Sequence, residues 1–212
     1  MVDSKFQYGF YTDAAMECFK QYGNVLDLPI VEDPYYEAIK YYTEGNVLDL
    51  GAGKNKVFHS IIYSKLLNGD YYSLDNDPCG KFDFTDIGNI PKSLKFNYVL
   101  ANQFFEHLSI EDSLGMFERI EKLIEKNANL IITVPNTAHP NRYLSHIDHK
   151  TPFDYKSLYM LYKHIGLKVI NIARYSKRHP QGIIEKTLAR YINRIYRIDW
   201  CESIIMIGQK NV

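Results

Sequence analysis

Six short apolar runs, at residues 47–50, 71–74, 96–100, 130–134, 167–172 and 204–207, recur along the chain and alternate with segments of helical character. Short apolar runs of this kind read as strands buried on both faces, and helical segments between them point to βαβ units and a mostly parallel sheet. Residues 57–67 and 109–126 carry apolar side chains three and four apart, and Ser109 followed by Asp112 reads as an N-cap with an acidic first turn. Residues 154–165 form a third helix candidate, closed by Gly166. Residues 12–22 and 34–43 should be helices preceding the sheet, with Pro34 suited to a first turn. Between Asp75 and Phe96 there is no room for a full helix, so that crossover should shrink to a loop or turn.

The size of the chain agrees with a single α/β unit over residues 1–212, with an N-terminal helical cap over 1–44. Two longer connections, 135–153 and 176–198, follow late strands, where open α/β sheets commonly build the substrate side of a site. Twenty-five basic residues balance twenty-five acidic ones, so no global field favours nucleic acid or a membrane as partner. Cys18, Cys79 and Cys201 show no metal or disulfide spacing, which suits a reducing compartment. Polar residues interrupt the N-terminus, and no long apolar stretch suggests a span, so the expected location is the cytoplasm. Aromatic residues make up 14% of the chain; an aromatic core with partly wet tyrosines and an aromatic-lined pocket both account for them.

The stretch NVLDLGAGKN, residues 46–55, runs a strand into Gly51, Ala52 and Gly53. Glycines at a strand exit let bare backbone approach a ligand at the carboxyl edge of a sheet. The dinucleotide fingerprint needs a third glycine at position 56, which is Lys56, and the P-loop spacing is absent, so a pyrophosphate is a poor guess. Asp75 closes the next strand in YYSLDND and can accept both ribose hydroxyls of an adenosine. Asp49, just upstream of the glycines, suits a cationic group at the other end of such a ligand. An adenosine with a positive amino-acid tail matches S-adenosylmethionine better than NAD.

From about residue 45 to 208 the chain resembles the class I S-adenosylmethionine-dependent methyltransferases. VLDLGAGKN is similar to their first motif and LDNDP to their second, with Asp75 as ribose ligand beside Asn76. FDFTDIGNIP resembles the short-crossover third motif, which implies that Asp86 meets the adenine amino group and Ile87 packs on the ring. FNYVLANQFFEHL resembles the fourth-strand motif, placing Asn102 and Gln103 beside the methionine part. LIITVPN, HKTPFDYKSLYMLYKHIGLKVI and SIIMIGQK resemble the segments that close the sheet. The resemblance implies a Rossmann-like three-layer sandwich, a seven-strand mostly parallel sheet with an antiparallel seventh strand, and S-adenosyl-L-methionine as methyl donor held by Asp49, Gly51, Ala52, Gly53, Asp75, Asn76, Asp86, Ile87, Asn102 and Gln103. Asn97, where the family usually has aspartate, and Lys54 and Asn55 depart from the pattern.

Methyl transfer from a sulfonium is an in-line displacement that needs alignment and, for a weak nucleophile, a base. His107, His146 and His149 are the candidates, with Glu106, His139 and Asp148 nearby, because imidazole titrates near neutrality. Each also has a purely structural reading. The same region offers a metal alternative in Glu106, His107, His146 and His149, with Gln103 and His107 on one helix face. It resembles the small-RNA 3'-terminal ribose 2'-O-methyltransferases, although Gln103 replaces their first glutamate; no metal is the expectation. Arg190, Arg194 and Arg197 recur at helical spacing in residues 183–198, either as a solvated face or, for Arg190 and Arg194, as contacts to a phosphate or carboxylate. The expected acceptor is a small molecule, phosphorylated or sugar-like, taking the methyl on a hydroxyl. The rival from another class is a noncatalytic protein of the same fold.

Overall fold

A computed structural model describes residues 8–178 and 180–211. The first seven residues of the 1–44 segment and residue 179 of the 176–198 excursion lie outside the described residues. Seven strands form one sheet: β1 (Ile30–Val31), β2 (Val47–Leu50), β3 (Tyr71–Leu74), β4 (Phe96–Asn102), β5 (Ile124–Pro135), β6 (Leu167–Tyr175) and β7 (Ser203–Lys210). Their order is β1-β6-β7-β5-β4-β2-β3. β7 runs antiparallel to both β5 and β6, and every other pairing is parallel.

Six of these strands grow from the six apolar runs. The seventh is Ile30–Val31, a two-residue edge strand beside β6, so the 1–44 segment is not wholly helical. FDFTDIGNIP adds only a single parallel bridge, between Leu74 and Phe84, and a short 3-10 turn at Ile87–Asn89. The crossover there is thus abbreviated, as the spacing requires.

The helices are α1 (Tyr8–Tyr22), α2 (Pro34–Ile39), α3 (Val57–Ile62), α4 (Ile110–Leu123), α5 (Tyr155–His164) and α6 (Gly182–Tyr196). Pro34 opens α2 behind an Asp33 cap, Ser109 accepts from the Asp112 amide to cap α4, and Gly166 follows α5 with φ +74°. α3 is shorter than the 57–67 pattern, because the chain tightens into a 3-10 turn at Tyr63–Lys65.

Alternate residues of each strand feed opposite layers, as the two-residue period of a strand dictates. Leu48, Leu50, Val99, Ala101, Leu130, Ile132 and Met206 pack with α1, α4 and α5. Val47, Tyr98, Leu100, Ile131, Ile205 and Ile207 pack with α2 and α3. The two layers hold the sheet between them, leaving its carboxyl edge to the loops that make the site.

At the β1 edge, the buried Arg174 pairs with the equally buried Asp199 at 3.0 Å and donates to the carbonyls of Leu26 and Leu28. One guanidinium therefore ties β6 to the segment before β1 and to the entry of β7. Asp199→Ala strands that charge without its partner, which is expected to cost about 3–5 kcal/mol of unfolding free energy in denaturant titration; a loss below 1 kcal/mol would deny the pair this role.

Candidate functional site

The tips of β2, β3 and β4 open on one cleft of about 860 Å³. Its wall includes Gly51 from the β2 exit, Leu74, Asp75 and Asn76 from β3, Asp86 and Ile87 from the abbreviated crossover, and Gln103, Phe104 and His107 after β4. The volume suits a ligand of nucleoside size or larger.

The β2 exit turns through left-handed backbone at Gly51 (φ +68°) and Gly53 (φ +62°), a conformation that glycine adopts without cost. A Cβ on Gly51 would sit 2.7 Å from the Phe104 ring, so the loop and the β4 exit approach as closely as backbone allows. The Gly53 amide donates to Asp75 Oδ2 at 2.8 Å, and the Asp77 amide donates to Asp75 Oδ1 at 3.0 Å. Two amides fix the carboxylate and leave lone pairs on both oxygens for further donors. Asp83, by contrast, accepts from the amide and hydroxyl of Ser73, whereas Asp86 lines the cleft and caps the turn at Ile87 through the Gly88 amide.

Asp49 lies beneath the loop rather than on the cleft wall. It is 3% exposed and accepts from the Tyr71 hydroxyl at 2.6 Å. Burial pushes its carboxyl up to about 7, which the Tyr71 bond opposes and the Asp75 charge reinforces. Asn102 is likewise held inward, donating to the Tyr35 hydroxyl and accepting from Thr133. Gln103 reaches the cleft with φ +51°, its amide anchored on Thr133.

Gln103 and His107 do not share a helix face. Gln103 is still in the left-handed turn off β4, and only one 3-10 turn, Phe105–His107, follows before α4. Beyond that turn, Glu106, His107 and His149 offer ligand atoms within 4.8 Å of one another.

The excursion after β5 is tied to that turn by backbone: the amides of Lys150 and Thr151 donate to the Glu106 carbonyl, and the Thr151 hydroxyl to the Leu108 carbonyl. This brings Asp148 Oδ2 to 3.0 Å from His107 Nδ1. The His149 ring lies 5.0 Å from the rings of both His107 and His146. Its Nδ1 is 2.7 Å from the Tyr143 carbonyl. Burial holds the His149 imidazole below its ordinary range, with the neighbouring histidines adding to the effect. His107 lines the cleft, His149 stands behind it, and His146 is the exposed outer member. His139 lines a different depression, beside Trp200.

Glu106 is 1% exposed, and neither carboxylate oxygen has a hydrogen-bond partner among the described residues. Burial pushes its carboxyl up to about 8; its own backbone amide and Arg142 offset this only in part. The cleft also contains residues not singled out from sequence: Phe104, Met116, Arg119 and Lys150. Met116 and Arg119, three apart on α4, sat within a pattern that reads as ordinary amphipathicity. Arg119 lies 3.7 Å from Asp86. Arg190 and Arg194 are exposed on α6 and contribute nothing to the cleft wall.

No protein-family model matches the sequence, and no curated protein matches it either. Solved structures do match. A SAM-dependent methyltransferase from Archaeoglobus fulgidus superposes with TM-score 0.67 at 17% identity, over 82% of this chain and 90% of that one. The N-methyltransferase NodS from Bradyrhizobium japonicum WM9 superposes with TM-score 0.56 at 10% identity, over 97% and 99%. Phosphoethanolamine N-methyltransferase 2 from Haemonchus contortus, in complex with S-adenosyl-L-methionine, gives TM-score 0.58 at 15% identity, over 99% of this chain and 59% of that one. The chain has the class I S-adenosylmethionine-dependent methyltransferase fold.

Asp49 and Glu106 both hold a proton more tightly in the folded chain than in the unfolded one. The stability they contribute is complete below about pH 4 and is lost as pH rises through about 7 and about 8. Calorimetric melts of the ligand-free protein should therefore fall from about pH 4 to about pH 8 and level off above it, and Glu106→Gln should flatten that fall, most completely between about pH 7 and about pH 8. An identical decline in the variant would exclude Glu106 as its source.

Proposed function

We propose that the chain transfers a methyl group from S-adenosyl-L-methionine to a hydroxyl of a small-molecule or saccharide-type acceptor. The observation that carries this reading is Asp75, locked by the Gly53 amide at the mouth of the cleft with its remaining lone pairs free. A fixed carboxylate at the second strand tip, beside glycine backbone and opposite Asp86 and Ile87, suits an adenosine whose ribose hydroxyls donate to it. The superposition on a structure holding the same methyl donor supports the choice of donor.

In this reading Asp75 and Asn76 meet the ribose, Asp86 and Ile87 the adenine, and Gly51, Ala52 and Gly53 the amino-acid end, with Asp49 and Asn102 bracing the backbone from below. Gln103 and Phe104 border the methionine part. The acceptor oxygen attacks the methyl carbon in line with the sulfonium sulfur. The C–O bond forms as the C–S bond breaks, S-adenosylhomocysteine leaves with the electron pair, and the hydroxyl proton passes to the base. His107 is that base: Asp148 on Nδ1 orients the ring and leaves Nε2 to accept. His149 and His146 stand behind it as supports.

Titration calorimetry is expected to detect S-adenosylmethionine and S-adenosylhomocysteine and not NAD; NAD binding alone would sink the reading. Asp75→Ala should weaken donor affinity by about 1.5–3 kcal/mol, and unchanged affinity would remove Asp75 from the site. His107→Gln should slow turnover about 100-fold or more at unchanged donor affinity. Donor binding with no transfer to any hydroxyl acceptor would favour the noncatalytic rival.

A second reading rests on the unpartnered Glu106. One carboxylate and two imidazoles within 4.8 Å form a donor set that suits a divalent transition metal, which would lower the pKa of a bound hydroxyl. Calorimetric titration of Mn²⁺ or Zn²⁺ should then give a heat that Glu106→Gln abolishes; no heat with the unaltered chain disposes of it.

A further inference from the structure

α6 is amphipathic in the reverse sense to α4 and α5. Its buried residues are the small or polar Ala189 and Asn193, while Ile183, Ile184, Leu188, Tyr191 and Ile195 are all 50–85% exposed. At about 100° per residue, Tyr191, Ile184, Ile195 and Leu188 fall within a sector of roughly 60°, opposite the face that meets the protein. Arg190 and Arg194 lie on one flank of that apolar sector, while the exposed Lys186 lies farther round and Arg197 just past the helix end. The helix carries one acid, Glu185, and Lys177 and Arg178 add exposed positive charge just before it. Burying this apolar sector in the fold would be favourable, yet it faces outward with cations beside it.

We propose that α6 docks on an anionic lipid surface. An outward apolar sector with a basic flank is how a helix lies in the plane of a bilayer interface, the large side chains entering the acyl boundary and the cations meeting acidic headgroups. Charge chooses this occupant over a second copy of the chain, since an antiparallel two-fold pairing of α6 sets the two basic flanks side by side. Trp200, next to the helix and 40% exposed, lines the same depression as Leu188 and Ile192, and indole prefers the headgroup level.

The position of the helix gives docking a use. α6 leaves from the carboxyl end of β6 and returns at the start of β7, so it borders the sheet edge on which the cleft opens. In the methyl-transfer reading, on which this step rests, a saccharide-type hydroxyl attached to a lipid would reach the cleft from the surface that α6 holds. Docking replaces the expectation of a merely solvated arginine face, and it needs no membrane-crossing helix, of which there is none among the described residues.

The test uses the full chain and vesicles of phosphatidylcholine, alone or mixed with phosphatidylglycerol. Trp200 is the single tryptophan, so its emission reports on this face. The protein should pellet with the mixed vesicles, shift its emission to the blue, and ignore the neutral ones. Arg190→Gln with Arg194→Gln should lower partitioning about 30-fold, and Ile184→Ser with Leu188→Ser should abolish it. S-adenosylmethionine binding, measured on the same variants, should be unchanged and certifies their fold. Failure to pellet at low salt, equal binding by the variants, or sedimentation as a dimer that Ile184→Ser dissociates would each overturn the proposal. Because pelleting is scored without turnover, its outcome is separate from that of the methyl-transfer reading.

Discussion

Everything at the carboxyl edge depends on β2 pairing in parallel with both β3 and β4. A parallel strand between two parallel neighbours sends all three chain exits the same way, while the connections from β2 and β3 leave toward opposite sides. A crevice must form where they part. The glycine turn then decides how close the walls come. Without a Cβ at Gly51 the loop can rest against Phe104, and the Gly53 amide can reach across to Asp75. That single amide–carboxylate bond links the tips of two adjacent strands, so the chain's own groups brace the cleft wall. A prepaid geometry of this kind lowers the ordering cost of binding.

In the methyl-transfer reading, the donor side and the acceptor side are built from different material. Asp75, Gly51 and Gln103 stand directly on strand ends, whose register is set by ladders running through the core. His107 and Asp148 come from a 3-10 turn and from the excursion after β5, joined by the Glu106 carbonyl and two amides. Strand ends vary little without disturbing the sheet, whereas turn and excursion can change length and content freely. This division explains why neighbours at 10–17% identity keep the fold, and why such likeness carries no information about what is methylated.

The same division governs what could be read from the chain alone. Buried parallel strands print continuous apolar runs, so β2 and β3 match their runs to the residue and the other four enclose theirs. A cap such as Ser109 acts within three residues and Pro34 suits a first turn, which makes these helix starts legible too. β1 is invisible because two residues have no period; the Arg174–Asp199 pair and the adjacent ladder, formed from distant sequence, determine it. The helix face expected for Gln103 and His107 failed for a local reason, a left-handed residue at Gln103 that no spacing announces. Met116 and Arg119 were missed because a face turned toward a cleft and a face turned toward water share one periodicity.

Two of the features that run against folding free energy lie beyond the strand ends. Glu106 is buried with no partner for its carboxylate, which a glutamine or an apolar residue would relieve. α6 turns five large apolar side chains toward water while its buried contacts are Ala189 and Asn193. Neither can be a by-product of packing, because inward pairing or polar substitution would lower the free energy of the isolated chain in each case. A cost of this kind persists where something outside the fold completes it. For Glu106 the completing group is a proton or a cation beside the histidines; for α6 it is a surface with an apolar interior and negative charge. In the methyl-transfer reading the donor half of the molecule is therefore self-sufficient, and the acceptor half is complete only in company.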